Sequence, residues 1–565
     1  MMIRALVLLV AVLSASCSGP PDPPPGARSI EEMAREVGAD VLEATRRGYV
    51  PGRSGELALI PRPHHVIVRR GSWDPGREPS PDTSHSTPWA YHQRVPILLY
   101  GPGFVREGVV SDRAVDLADL APTLAELMGF PFRARDGEPL FEALASGRRG
   151  APRAIALVAY DGGGWNLLQA YPDDWPILRA LMARGALFTN ATVGSSPSVT
   201  AAVHPTMGTG AYPAAHGVPD NSARLPDGTV GDAYLGRTDP GLLRVETLAD
   251  AWHEATGAWT GIVATESWHL GMLGRGAEPG AAPEQVAVLW NRRERRFFTN
   301  RERYRLPGYL PDDASLGARV RDLDGSDGSL DGRWMGNDLE DPDVLPATPA
   351  FVRHQGEAIL QILGRERIGR DDVTDLLFVE LKSTDRGAHL WNVAGEEQPH
   401  VLRAQDDLLR DVAAALDAEA GEGRWVLAVT ADHGLTPLPE EAGGLRLHPE
   451  ALAAAVEERL GPIVEAATPS SLFLDMDEVR SRDLDLELVA TIVGDLRYRD
   501  GIPEGVVLER IREDLLDRRV FAAVLPGPYL EGLTPEETAR VGPGIYEEGD
   551  LTGTDAAARF ARLAG

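Results

Sequence analysis

Three apolar runs limit this chain more than any other feature: Ile155–Tyr160 (IALVAY), Leu376–Leu381 (LLFVEL) and Trp425–Thr430 (WVLAVT). Runs this short and this apolar read as strands buried on both faces, which is the situation of a parallel sheet covered by helices. Each is followed within a few residues by an acid: Asp161, Asp385 and Asp432. The carboxyl edge of such a sheet is where α/β enzymes gather their reactive groups. Helical spacing recurs between the strands, most clearly over 399–419, where acids alternate with apolar residues, and helices are also expected over 29–47 and 114–129. The order of elements predicts an α/β fold with a mixed, largely parallel sheet.

One acid after one strand is commonplace, because turns favour Asp. Here His389 stands four residues after Asp385 and His433 directly after Asp432. Three strand-end acids with two paired histidines read as a metal-binding edge. Carboxylate and imidazole ligands suit zinc and tolerate manganese or iron. A dimetal hydrolase also needs a nucleophile, and Thr200 is the candidate. It opens a segment of small apolar residues, so it is expected to cap the next helix, whose N-terminus favours an anion. The plain alternative is a threonine that only caps. Pro205, five residues on, predicts an irregular turn. The three glycines after Asp161 fit either a close backbone approach or a flexible turn.

At 565 residues the chain exceeds one small core, and 43% hydrophobic with 25% charged residues indicates a globular protein. A net charge of -29 argues against wrapping a nucleic-acid backbone but leaves open an anionic substrate held by metals. The single cysteine, Cys17, excludes an internal disulfide. Residues 1–16 place Arg4 before an apolar run and small residues ahead of Cys17, the pattern of a secretory signal with a lipoprotein-type cleavage site. An ordinary signal peptide or an uncleaved anchor are the alternatives. A Pro-rich tether follows at 18–27. The expectation is export, as a periplasmic or outer-membrane-associated lipoprotein that touches membrane only through its anchor.

The motif set resembles the alkaline phosphatase superfamily, on the branch of type I phosphodiesterases, nucleotide pyrophosphatases and monomeric bacterial alkaline phosphatases. The matching text is Asp161 after its strand, T-A-A-V-H at 200–204, TGAYPAAHG at 209–217, D-R-G-A-H at 385–389 and ADHG at 431–434. The resemblance implies a three-layer α/β/α fold with a cap and two divalent metal ions, taken as zinc. It makes Asp161, Thr200, Asp432 and His433 ligands of the metal that activates the nucleophile. Asp385 and His389 become ligands of the second metal, and Asn221 a donor to a phosphoryl oxygen. His204 and His216 would support the site from behind.

One ligand is missing where this family places it, downstream of ADHG. The first histidine there, His448, stands in RLHPE, a different context. The family's text for that ligand occurs instead near the N-terminus, as TSHSTPWAYHQRVPILLYGPGF followed by DLADLAPTL. His85 is therefore the matching ligand, and the resemblance implies a circular permutation. Residues 28–145 would be the family's C-terminal segment moved to the front, with 151–284 and 346–440 as the catalytic core. Residues 285–345, rich in Arg and Asp, would be a cap or insertion. Residues 441–565 would be a surface α+β subdomain ending at the permutation point. The alternatives are an assembly artefact in the gene, or that His448 is the ligand and the front segment a separate domain. His64, His65, His92, His253, His354 and His400 are expected at the surface or as satisfied core residues.

Monoesterases of this family clamp the extra charge with a K-x-R pair, and Thr265 and Ser267 stand at those positions here. The expected activity is hydrolysis of a small-molecule or lipid-headgroup phosphoester, tilted toward diesters. His269 or the arginines of 292–296 are candidates to compensate. A phosphomonoesterase is the alternative within the superfamily, and a non-catalytic surface lipoprotein that binds without turnover is the alternative outside it.

Overall fold

Each of the three apolar runs is a strand buried along its whole length in the computed structural model, which describes residues 21–67, 83–148, 150–501 and 513–546. The central sheet is built from β1 (Arg94–Tyr100), β2 (Ala154–Tyr160), β3 (Ala186–Thr192), β4 (Thr260–Val263), β5 (Val286–Asn291), β6 (Asp375–Leu381) and β7 (Trp425–Ala431), with shorter edge strands. The order is β5-β4-β6-β2-β7-β1-β3, continued by Arg296–Phe298 beyond β5 and Val109–Ser111 beyond β3. β5 through β7 run parallel, and β1 lies antiparallel to both β7 and β3. Alternate residues of β2 enter different cores. Ile155, Leu157 and Ala159 face one side, and Ala154, Ala156, Val158 and Tyr160 the other. The first side is covered by α1 (Thr200–Thr209) and by helices Leu120–Met128 and Leu248–Thr256. The second is covered by Pro176–Arg184, Pro349–Arg365 and α3 (Gln398–Ala420), while α2 (Ser383–Trp391) follows β6 at the sheet edge. This is the expected three-layer α/β arrangement.

A second, four-stranded sheet joins Leu57–Pro61 to Val464–Ala467, Ser471–Leu474 and Phe521–Pro526, with its own apolar cluster. It is an additional subdomain assembled from both ends of the chain. Among the described residues no helix is long and apolar enough to cross a membrane. The signal segment, the start of the tether, much of the 71–88 loop and most of 505–517 lie outside the described residues.

Several boundaries differ from the sequence reading. The helix predicted over 29–47 is two, Ile30–Val37 and Ala39–Gly48, divided at Gly38, whose φ of 84° ends the first. The helix predicted over 114–129 is preceded by a two-residue strand, Val115–Asp116, and a 3-10 turn. Residues 285–345, read as a cap, begin with β5, a strand of the central sheet that pairs with β4. Its run of six residues is too short to show a period. Pro205 does not interrupt α1. The helix closes around the ring because Gly271 lies against it: a Cβ on Gly271 would sit 2.5 Å from Pro205 Cδ. Finally, β1 and the helix Leu120–Met128 belong to the main sheet and its core, so this part of the front segment is not a separate domain.

Candidate metal centre

Register brings the site together. Tyr160 of β2 pairs with Leu381 of β6 on one side and Ala431 of β7 on the other. The next residues, Asp161, Lys382 and Asp432, therefore emerge side by side at the carboxyl edge. Asp385 and His389 sit four apart on α2, which places them on one helix face. His85 arrives from the opposite direction. The start of antiparallel β1 lies beside the end of β7, so the loop before β1 reaches the same edge. Ser198 Oγ donates to the His85 and Thr87 carbonyls, at 2.7 and 3.0 Å, and His92 links Thr87 to Thr436 through its two ring nitrogens. The glycines after Asp161 serve close approach: a Cβ on Gly164 would sit 2.5 Å from Gly434 Cα.

The polar atoms converge in two groups. His85 Nε2 and His389 Nε2 lie 3.3 and 3.4 Å from Asp385 Oδ1. Asp161 Oδ1 and Asp432 Oδ2 lie 3.4 and 3.3 Å from His433 Nε2. A tetrahedral zinc with bonds of about 2.0–2.1 Å spaces its ligands by about 3.3–3.4 Å, the same separation. The tautomers agree. Nδ1 of His85, His389 and His433 each donates to a backbone carbonyl, of Ser198 (2.9 Å), Thr83 (2.7 Å) and Gly434 (3.0 Å). That places the ring proton on Nδ1 and makes Nε2 the electron-pair donor, the form a metal ligand takes. Asp161 Oδ1, Asp385 Oδ1, Asp432 Oδ2 and His433 Nε2 are buried with no hydrogen-bond partner. Buried orphan acceptors are costly unless a cation meets them. Burial and the adjacent Asp161 carboxylate push Asp432 well above the usual carboxylate range, a strain a divalent ion among these oxygens relieves. The clusters His85–Asp385–His389 and Asp161–Asp385–His433, which share Asp385, each bring their ligand atoms within 4.8 Å of one another and fit divalent metal ions, with Asp432 beside the second.

The profile of the type I phosphodiesterase / nucleotide pyrophosphatase family matches residues 155–504. The chain belongs to this family. The alkaline phosphatase PhoD of Zymomonas mobilis subsp. mobilis is 32% identical over 95 residues, which is 17% of this chain and 16% of that enzyme, so the chain spans about a sixth of that relative's length. Two solved structures of the alkaline phosphatase PafA, wild type and a quadruple mutant, superpose with a TM-score of 0.49 at 16% identity. They cover 66% of this chain and 84% and 85% of theirs.

The family is named for type I phosphodiesterases and nucleotide pyrophosphatases. At the centre, Thr200 is not the helix cap that the sequence predicted. Val199 holds the cap position and Thr200 is the first helical residue, with no capping bond from its side chain. Its hydroxyl turns inward, 3.4 Å from Asp161 Oδ2. Asn221 takes over at the helix start, where its Oδ1 accepts the Ala201 N–H at 3.1 Å, leaving Nδ2 as the donor end. His204, on α1 itself, bonds back to the Thr200 carbonyl, and His216, beyond the helix, bonds to the Ala202 carbonyl. Burial holds both neutral, His216 down to about 3. His448 is absent from these groups and pairs with Glu450 at 2.6 Å. His354 departs from the satisfied core residue expected, since it is buried with neither ring nitrogen bonded.

Two residues of the centre, Lys382 and Glu380, escaped the sequence reading, and His269, read there as a candidate counter-charge, contacts Asp161 instead. Lys382 Nζ donates to Asp161 Oδ2 at 2.6 Å and lies 2.9 Å from Asp385 Oδ2. Burial works against the charge on Lys382, but Asp161 and Asp385 outweigh it and raise the ammonium's pKa. Burial alone would raise the Asp161 pKa, but Lys382 and His269 hold it well below the usual range. His269 Nε2 lies 3.2 Å from Asp161 Oδ2, and its Nδ1 sits 3.1 Å from the Glu266 N–H nitrogen and 2.8 Å from the Glu266 carbonyl. Buried Glu380, pushed up to about 7 by desolvation, accepts the Thr265 N–H at 2.9 Å. The available signal was Glu-Leu-Lys at the end of a fully buried strand, where charges must find partners inside.

Proposed function

We propose that the chain hydrolyses phosphoesters by a two-step transfer through Thr200, with diesters preferred. The observation that carries the reading is the position of the Thr200 hydroxyl. It is buried at a helix start, aimed at Asp161 beside one ligand group, with the second group joined through Asp385. Asp161, Asp432, His433 and Thr200 would hold one metal ion, and Asp385, His389 and His85 the other. Two divalent ions, taken as zinc, would supply Lewis acidity to the attacking and leaving oxygens. Thr200 Oγ1 attacks phosphorus, the P–O bond to the leaving group breaks opposite it, and water then cleaves the phosphothreonine ester. Asn221 Nδ2 donates to a non-bridging phosphoryl oxygen, and the bond from Ala201 N–H to Oδ1 fixes which way that amide faces.

The diester preference follows from the charges near Thr265 and Ser267. Neither side chain is cationic, Glu266 between them is paired with Arg386, and His269 is spent on Asp161. Three of the four candidate arginines of 292–296 are engaged too: Arg292 with Asp343, Arg295 with Asp313 and Arg296 with Glu294. A monoester's second negative charge therefore lacks a ready partner. The deciding experiment compares kcat/KM for an aryl diester and an aryl monoester with zinc added, in the wild type and in Thr200→Ala. The diester should be the better substrate, and the variant should lose turnover while its metal content stays unchanged. Full turnover without Thr200 would overturn the reading.

The order of elements favours circular permutation. The family profile begins at residue 155, yet β1 and His85, ahead of it, complete the sheet and the second ligand group. Export and lipid attachment at Cys17 are proposed from the sequence, and labelled palmitate lost in Cys17→Ser would test them.

A further inference from the structure

Lys382 follows β6 directly and its side chain is buried between the two ligand groups. Nζ lies 2.6 Å from Asp161 Oδ2, 2.9 Å from Asp385 Oδ2 and 3.2 Å from Thr200 Oγ1. The ammonium donates to Asp161 Oδ2 and Thr200 Oγ1 and forms an ion pair with Asp385 Oδ2. The other oxygen of each carboxylate faces the histidines, Asp161 Oδ1 toward His433 and Asp385 Oδ1 toward His85 and His389. One amine thus divides two carboxylates in the same way, with one oxygen for itself and one for a ligand group. A lysine buried for packing alone needs a single acid; this one draws on three segments of chain, at the end of β2, on α1 and on α2.

We propose that Lys382 is a resident cation of the centre and a positioning residue for Thr200. It keeps Asp161 and Asp385 as one-oxygen ligands, steadies the Thr200 hydroxyl between them, and offsets the clustered carboxylates when metal is absent. The proposal rests on the metal reading of the two ligand groups, but its decisive measurements do not need turnover.

The role has a signature that packing does not share. A positive charge next to both ligand groups repels divalent ions while stabilising the acids that bind them. Removing it should therefore tighten metal binding, weaken the metal-free fold and slow the reaction together. Loss of a space-filling side chain would weaken metal binding and fold alike.

The experiment uses the full chain, stripped with a chelator and then titrated with zinc against a chromophoric competitor. It compares wild type with Lys382→Met and Lys382→Gln. In both variants the stripped protein should melt several degrees lower, with a smaller drop once zinc is loaded. Zinc should bind about ten-fold more tightly or better. Turnover at saturating zinc should fall on the order of 100-fold. An unchanged stripped melting temperature, or weaker zinc binding in both variants, would overturn the proposal. If the Met variant does not fold, the Gln variant, polar but uncharged, carries the test. Unchanged turnover with the zinc and stability arms as expected would overturn the positioning role of Lys382, whereas the nucleophile is tested separately by Thr200→Ala.

Discussion

His85 Nε2 lies 3.3 Å from Asp385 Oδ1, although the two residues sit in opposite halves of the chain. The contact exists because β1 runs antiparallel to β7 and brings its leading loop to the edge where α2 begins. His85 is therefore the element of the second ligand group most open to a clean test. Replacing it with Ala should drop the zinc content toward one ion per chain and cut turnover by about 100-fold or more. The melting temperature of the stripped protein should change little, because the loop stays pinned through Ser198, Thr87 and His92. Elemental analysis of the desalted variant decides the matter, and two tightly held zinc ions would remove His85 from the centre.

Asn221 has two ends with two jobs, and one substitution separates them. Asn221→Asp keeps an acceptor for the Ala201 N–H but replaces the Nδ2 donor with an anionic oxygen. The fold and metal content should survive. The rate constant kcat/KM should fall roughly 100- to 1,000-fold, the usual loss when a donor to a developing oxyanion is removed. Asn221→Ala should lose a similar rate and also destabilise the start of α1, by about 1 kcal/mol. Steady-state kinetics beside thermal melts distinguishes the two effects. Equal rates for Asn221→Asp and wild type would mean the amide does not meet the substrate.

The sheet and the acids at its edge were legible because burial on two faces leaves a chain little choice but apolar runs, and the acids after Ile155–Tyr160, Leu376–Leu381 and Trp425–Thr430 stand out against them. His85 was legible only through its surrounding text, since distance along the sequence says nothing about neighbours across an antiparallel pair. What could not be read were properties set by a second segment. Thr200 looks like a cap until Asn221 takes the exposed N–H and frees the hydroxyl to turn inward. Pro205 looks like a break until Gly271 makes room for its ring. Lys382 looks like the solvated end of a strand until β2 sets Asp161 beside it. In each case the local preference was sound and a tertiary neighbour changed its outcome.

Gly434 tests how tightly the ligand edge is built. A Cβ there would lie 2.1 Å from the Tyr91 carbonyl oxygen, and the Gly434 N–H donates to the His92 carbonyl at 2.8 Å. Backbone stands on both sides, so an added methyl cannot be absorbed by rotating a side chain. Gly434→Ala should cost about 1–3 kcal/mol of stability. Because His433 precedes it and Nδ1 of that ring donates to the Gly434 carbonyl, zinc affinity should fall as well. Gly443→Ala is a fitting control for crowding, with no atom within 4 Å of the new Cβ, though its φ of 83° adds strain of its own. Thermal melts and zinc titration of the two variants should show loss of affinity only at Gly434.

A carboxyl far from the centre predicts a pH effect with a definite sign. Asp250 is half-buried on the helix Leu248–Thr256, accepts the Arg275 N–H at 2.8 Å, and is pushed up to about 6 by desolvation of its carboxylate. In the unfolded chain the same group loses its proton near 3.8. Between these values the folded state binds more protons, so this group's contribution to stability declines as pH rises from about 4 to about 6. Above pH 6 the full cost persists, on the order of 3 kcal/mol for a shift of this size. Asp250→Asn keeps an oxygen for the Arg275 N–H and cannot ionise. The variant's melting temperature, measured relative to wild type at pH 4, 5, 6 and 7, should rise steadily to pH 6 and then level off. The differencing cancels the acid sensitivity of the other carboxylates. A difference independent of pH would show that Asp250 titrates like an ordinary exposed acid.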